Sequence, residues 1–339
     1  MKVAVIGATG TVGRQMLSEL EEWDAPLEVS AFASYRSDGV QIPFKNGHIK
    51  VQAFDLAKVQ GAQFILMSAG SAFSREWAEK LAAQKAWVID NSSAWRMKAD
   101  VPLVVPEINK DTLGGGDSGI VSVPNCVAIP AAAALSPLDR AFGIQRADIC
   151  SYQSVSGSGQ KGVLEFSQQI AAHLRFETVA PTVYPQPIAY NVIPAIGEIQ
   201  ESGFCEEEEK IIQEIQKILS SPDLDVSASV ARVPVFYGHS AAITVDLKKP
   251  VTIADVEEVW GQIPSLVYYG GKDLKALPSP YFVAQSKEVH ISRLRLKWGS
   301  RTSGTRLHFW VVADNLRKGA ATTATDIMTA LMERQGLKP

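Results

Sequence analysis

A chain of 339 residues is long for one hydrophobic core, so two domains are expected. With 46% hydrophobic residues, 20% charged residues and a formal net charge of −3, it reads as a soluble globular protein without the basic excess of a nucleic-acid binder. Three cysteines, Cys126, Cys150 and Cys205, offer neither metal-ligand spacing nor an even disulfide framework. No metal is expected, and a reducing, cytoplasmic setting is the simplest home.

In chain order, Lys2–Ile6 is a short β-branched run ending at Gly7, which reads as a strand rather than a signal peptide. A helical pattern follows, with Val12, Met16, Leu17 and Leu20 on one face. Residues 27–32 and 64–67 read as strands, 74–83 as a helix, and 87–89 and 120–123 as further strands. This alternation predicts βαβ units and a parallel sheet. A helix is expected over 128–138. After about 145 the pattern changes: strands at 146–154, 226–232, 241–247, 289–298 and 307–313 have few helices between them, which predicts a mixed or antiparallel sheet. Helices are expected at 159–174 and 206–219, a proline-rich extended loop at 181–194, and a closing helix at 318–333. No apolar stretch approaches the ~20 residues a membrane span needs.

Between the first strand and helix stands Gly7-Ala-Thr-Gly10-Thr-Val-Gly13, where a dinucleotide fingerprint belongs. This assigns Gly7, Thr9, Gly10, Thr11, Val12 and Gly13 to a cofactor. The second strand ends in Ser34-Tyr-Arg36-Ser37. A guanidinium flanked by hydroxyls, with no acid at the tip, suits a 2′-phosphate and predicts NADP over NAD. Asp38 comes one step too late to argue strongly against this. The loop Asp90–Arg96 follows a strand at the expected carboxyl edge of the sheet, where its serines, Asn91 and Arg96 suit an oxyanion. Cys126 lies between a strand and an alanine-rich helix, so a helix N-terminus and an imidazole, His239 behind Gly238, are the two implied activators of its thiol. Glu207 and Lys210, one helical turn apart, read from spacing alone as a surface ion pair.

These segments together resemble the aspartate-β-semialdehyde dehydrogenase family along the whole chain. They are the GATGxVG opening (7–13), Ala-Ser-x-Arg-Ser (33–37), Asn-Ser-Ser-x-x-Arg (91–96), Pro-Asn-Cys (124–126), Tyr-Gln-x-Val-Ser-Gly-x-Gly (152–159), Arg-Val-Pro-Val-x-x-Gly-His-Ser (232–240) and Ala-Asp-Asn-Leu-Arg-Lys-Gly-Ala-Ala (313–321). The resemblance implies an α/β protein with a Rossmann-like doubly wound NADP-binding domain (1–125 plus 314–339). The second, α+β domain (126–313) would carry a mixed sheet, the catalytic residues and the homodimer contacts. It further implies reversible reductive dephosphorylation of L-aspartyl-4-phosphate to L-aspartate 4-semialdehyde through a cysteine thioester, in the biosynthesis of lysine and diaminopimelate, methionine and threonine.

By motif, Cys126 would be the nucleophile, His239 the general acid/base, and Gln153 the group that orients the thioacyl intermediate. Arg232 would grip the substrate carboxylate, Glu207 the amine, and Arg96 and Lys210 the phosphate. Ser156, Gly157 and Asn315 would lie at the cofactor. Asn125 and the Glu207-x-x-Lys210 helix favour the aspartyl substrate over that of N-acetyl-γ-glutamyl-phosphate reductase, the nearest rival. A catalytically silent binding module should have lost Cys126, Gln153 or His239, and all three are present. The chain departs from the family pattern at Val127 and Pro130, where a small hydroxyl residue and Gln are usual. The Val127 main-chain N–H is expected to serve the oxyanion in their stead.

Overall fold

The computed structural model describes residues 1–337 except 25, 298 and 301. Two compact units emerge from the chain, Met1–Pro124 with Ala320–Pro339, and Asn125–Gly319. Residues 314–319, placed by sequence with the C-terminal return, pack with the second unit.

The first unit contains β1 (Lys2–Ile6), α1 (Thr11–Glu21), β2 (Glu28–Ala33), β3 (Gln41–Phe44), β4 (Gly47–Ala53), α2 (Leu56–Val59), β5 (Phe64–Met67), α3 (Ser71–Ala82), β6 (Trp87–Asp90), α4 (Pro106–Asn109) and β7 (Gly119–Ser122). Its seven strands run in the order β3-β4-β2-β1-β5-β6-β7. All pairs are parallel except the β3–β4 hairpin. Every residue of β5 and β6 is buried, as the near-continuous apolar runs of a doubly covered parallel sheet require. The C-terminal helix Thr322–Arg334 returns to this unit, where the Thr322 hydroxyl donates to Glu19 at 3.1 Å.

The second unit contains α5 (Ala128–Phe142), β8 (Ile144–Gln153), α6 (Gly159–His173), α7 (Glu206–Ile218), β9 (Asp225–Arg232), β10 (His239–Val251), α8 (Ile253–Gly261), β11 (Leu266–Tyr269), α9 (Pro280–Val283), β12 (Val289–Leu296) and β13 (Gly304–Ala313). Its sheet order is β11-β12-β13-β10-β8-β9, with β11–β12 and β8–β9 parallel and the rest antiparallel. The expected strand 289–298 ends at Leu296, and Trp298 lies outside the described residues. α5 is buried from Ala128 to Leu138, in keeping with its all-round apolar sequence. Pro130 stands between two i→i−4 bonds, Ile129 N–H to Asn125 O at 3.0 Å and Ala131 N–H to Val127 O at 3.1 Å, and cannot donate one of its own.

The site residues follow from register. Gln153 ends β8 opposite Arg232, which ends the parallel strand β9. β10 runs antiparallel to β8 and therefore begins at the same edge, with His239. β13, antiparallel to β10, ends there with Ala313 opposite His239, and Asn315 follows two residues on. Four segments distant in sequence thus deliver their polar ends to one edge of one sheet.

Candidate active site

In the first unit the turn after β1 has the geometry a pyrophosphate needs. Gly7 has φ +88°, and a Cβ there would sit 2.2 Å from the Ser68 carbonyl oxygen. A Cβ on Gly13 would meet the Gly7 oxygen at 2.2 Å, so only glycine lets α1 pack so closely on the turn. α1 opens at Gly10 without a side-chain cap, and Thr11 Oγ1 is buried with no partner among the described residues. Beside it is a groove of about 530 Å³ lined by Gly7, Thr9, Gly10, Ser34, Tyr35 and Phe73. Bare helix amides, an orphaned hydroxyl and a shaped groove fit a dinucleotide.

At the tip of β2, Arg36 is exposed and its Nε donates to Tyr35 Oη at 3.3 Å. Ser37 and Thr9 join hydroxyls at 3.4 Å across the groove mouth. Asp38 is turned away, because its Oδ1 accepts from the Ala53 N–H at 2.9 Å. The acid nearest the tip is therefore held by β4, and Arg36 is left as the exposed charge at the end of β2. After β6, Arg96 is buried and pinned to main-chain oxygens, Nε to Val123 at 2.9 Å and Nη2 to Asn91 at 2.8 Å.

The second unit holds two hydrogen-bonded clusters, one around Glu207 and one around His239, joined by the Gln153–Ser154 peptide. Half-buried Cys126 precedes α5, and Asn125 beside it is fully committed. Asn125 Nδ2 donates to Glu207 Oε1 at 2.8 Å, while its Oδ1 accepts from the Val127 and Ala128 N–H groups at 2.8 and 3.3 Å. The expectation that the Val127 amide serves an oxyanion is therefore corrected. Asn125 caps the helix start and consumes that donor. Gln153 Nε2 donates to the same Glu207 oxygen at 3.2 Å.

Four consecutive acids open α7, and each has a separate partner. Glu206 lies 3.6 Å from Lys210 Nζ, Glu207 turns inward, Glu208 caps the Cys205 N–H at 2.9 Å, and Glu209 accepts from the Ser202 hydroxyl at 2.9 Å. Lys210 is thus half-exposed and paired with Glu206 rather than with Glu207.

His239 is 2% exposed. Its Nδ1 accepts from the Ser154 N–H at 3.0 Å and lies 3.1 Å from Ser154 Oγ, while Nε2 is buried with no partner among the described residues. Desolvation, followed by the nearby Arg232 charge, pushes its pKa down to about 3, so the ring is neutral at physiological pH. Arg232 Nη1 donates to the Ser154 carbonyl at 2.6 Å. A Cβ at Gly157 would lie 2.8 Å from Arg232 Nη1 and 3.2 Å from His239 Nε2. Only a glycine lets the main chain pass this close to both side chains. Asn315 Oδ1 accepts from Gly238 N–H, Ser156 Oγ and Ser154 Oγ at 2.9, 3.0 and 3.2 Å, which places Ser156 and Asn315 beside His239.

Three contributors were not anticipated from sequence. The buried Glu214 accepts from the Asn125 N–H at 2.5 Å; its one signal was a spacing of two helical turns from Glu207. Ser154 acts through its main chain, which sequence does not display. Gly319 lies against Cys126, since a Cβ there would be 2.9 Å from Cys126 Cβ.

A doubly wound unit with a dinucleotide turn, and a second unit whose buried Asn125, Gln153, Arg232 and His239 accompany a half-buried Cys126, define a nucleotide-dependent oxidoreductase. Residues 2–115 match the family model "Semialdehyde dehydrogenase, NAD binding domain", and 135–318 match "Semialdehyde dehydrogenase, dimerisation domain". The aspartate-semialdehyde dehydrogenase of Aquifex aeolicus is 38% identical over 340 residues, covering 99% of each chain. A crystal structure of aspartate semialdehyde dehydrogenase II from Vibrio cholerae, complexed with ASA, superposes with a TM-score of 0.91 at 35% identity, covering 98% of each chain. The enzyme of Candida albicans, solved with NADP, shares the fold at 20% identity with a TM-score of 0.76 and 99% coverage of each chain. The chain belongs to the aspartate-semialdehyde dehydrogenase family.

Proposed function

We propose that this enzyme reductively dephosphorylates L-aspartyl-4-phosphate to L-aspartate 4-semialdehyde with NADP as cofactor, reversibly and through a thioester on Cys126. The observation that carries this reading is that Asn125, next to the thiol, and Gln153 share the Glu207 carboxylate, while Ser154, the next residue after Gln153, donates its N–H to His239. It builds a nucleophile and an acid/base group into one buried centre. Cys126 Sγ attacks the acyl carbon, and Arg96 and Lys210 are the cations assigned to the departing phosphate. Arg232 binds the substrate carboxylate, and Glu207 receives its amine. Gln153 orients the thioacyl group, and His239 serves as general acid/base at Nε2. Reduced NADP, when bound, supplies the hydride. Gly7, Thr9, Gly10, Thr11, Val12 and Gly13 hold its pyrophosphate, Ser34, Arg36 and Ser37 its 2′-phosphate, and Ser156, Gly157 and Asn315 the nicotinamide end.

In domain terms, the first unit is the NADP-binding domain and the second the catalytic and dimerisation domain. A homodimer forms through the uncovered face of the second unit's sheet, and the reaction serves biosynthesis of lysine and diaminopimelate, methionine and threonine. Phosphate-dependent NADP reduction with aspartate semialdehyde, run beside NAD and beside Cys126→Ala, tests the reading. Wild type should favour NADP, and the variant should lose turnover while still binding NADPH. Substantial activity in the variant would sink the thioester route, and equal efficiency with the two cofactors would remove the role given to Arg36.

A further inference from the structure

We propose that Glu214 is a positioning residue for the nucleophile, holding the main chain ahead of Cys126 so that the sulfur is set for its attack on the substrate carbon. This rests on the thioester reading above and adds to it a residue that acts through Asn125.

α7 carries its buried residues on one stripe, Glu207, Ile211, Glu214, Ile215 and Ile218. A helix stripe that faces a neighbour calls for apolar side chains, and an acid on it costs desolvation unless a donor meets it. Glu214 is 1% exposed, and a donor that meets it is the Asn125 N–H, 2.5 Å from Oε2. That N–H stands ahead of α5, where helical geometry supplies no acceptor. The other polar groups of Asn125 are engaged as well. Its carbonyl accepts from the Ile129 N–H at 3.0 Å, its Oδ1 accepts from Val127 and Ala128, and its Nδ2 donates to Glu207. Glu207 therefore holds the side chain of Asn125 and Glu214 its main chain, and the main chain leads directly into Cys126.

The helix that bears these acids is itself fixed to the other segments of the site. Glu208 Oε1 accepts from the Val230 N–H at 3.2 Å, two residues before Arg232 on the edge strand β9. Glu207 Oε1 accepts from Gln153 at the end of β8. One helix is thus the common reference for Arg232, Gln153 and Cys126, and Glu214 is its contact with the segment that carries the thiol. Cys126 has little room to adjust if that contact is lost, because Gly319 lies against it so closely that a Cβ there would be 2.9 Å from Cys126 Cβ. A misplacement of about 1 Å at a reacting atom can cost on the order of 100-fold in rate. The loss should fall on the attack by sulfur, since the side chains assigned to the substrate keep their own supports.

The test separates reach from charge. Glu214→Asp keeps the acid but is one methylene short of Asn125. Glu214→Gln keeps the length and an acceptor oxygen but removes the acid. Glu214→Leu returns an apolar residue to the stripe, which guards against a folding defect in the Asp variant. The Asp and Leu variants should each lower kcat with aspartate semialdehyde by about 10- to 100-fold with KM within about threefold, while the Gln variant should keep kcat within about threefold of wild type.

Alkylation of Cys126 by iodoacetamide, followed on its own peptide without substrate, should divide the variants in the same way. Its pH midpoint should rise by about half a unit or more in the Asp and Leu variants, as the thiol turns from the helix start, and stay within about 0.3 unit in the Gln variant. Equal impairment of the Asp and Gln variants would make the charge decisive and overturn the proposal. An Asp variant with wild-type kcat and alkylation would overturn it too. The alkylation involves no turnover, so its outcome is separable from any failure with aspartyl phosphate.

Discussion

Burying His239 as a neutral ring ties the stability of the second unit to pH. The folded-state value of about 3 lies below the ordinary 6.5, so the unfolded chain binds this proton first as pH falls. The stabilisation is complete above about pH 6.5 and is lost as pH drops from there towards 3. Between pH 7.5 and 5 this one group should remove about 2 kcal/mol, at ~1.4 kcal/mol per unit below its unfolded value. Denaturant unfolding of His239→Gln should show a correspondingly shallower loss, and parallel pH slopes for the two proteins would contradict it. At this scale Cys126 and His239 were readable from sequence, because a thiol before a helix and a histidine behind glycine are local patterns. The use of the Val127 amide was not readable. It depends on Asn125 turning its oxygen back to the helix, which a side chain becomes free to do only once Glu207 holds its nitrogen.

Among the elements, α6 shows how a loop without regular structure is kept in place. Glu165 Oε2 accepts from the Thr182 N–H, the Thr182 hydroxyl and the Val183 N–H at 2.7, 2.7 and 2.6 Å. Gln169 Oε1 accepts from the Ile188 and Ala189 N–H groups at 2.8 and 3.0 Å, and its Nε2 steadies Glu165. One helix face thus satisfies amides of the proline-rich loop ahead of Ile193, which pairs with Arg232 at the end of β9. Glu165→Ala should cost about 1–3 kcal/mol through the donors it orphans. It should also open the loop to limited proteolysis near residues 178–192. An unchanged digestion pattern would show that the loop holds itself.

The strands β1, β2, β5, β6 and β7 were legible as short apolar runs, and α7 as an amphipathic stripe. The β3–β4 hairpin was not, because Pro43 interrupts a four-residue run, although Asn46-Gly47 marked its turn. β11 escaped too, since a four-residue strand paired on one side alone carries little alternation.

Over the whole molecule, one face of the mixed sheet stands out. α5, α7 and α8 pack on one side of it. The other carries Cys150, Tyr152, Thr244, Asp246, His308 and Trp310, with the Tyr152 and Trp310 rings 5.5 Å apart and Thr244 bonded to His308 at 2.9 Å. A two-fold pairing of copies across this face would bury its aromatic pair against itself. Light scattering after gel filtration should give a dimer for wild type and a monomer for Trp310→Glu; a variant that stays dimeric places the contact elsewhere.

The two-domain plan was visible in the change of strand rhythm near residue 145, but the return point was not. Residues 314–319 belong with the sheet edge that Asn315 braces, and the chain leaves that unit only after Gly319. Gly319 also lies against Cys126, where no side chain fits without displacing it. The place of that sulfur is therefore written in two codons almost two hundred positions apart. One supplies the thiol, and the other must stay empty so that the first can stand where it does.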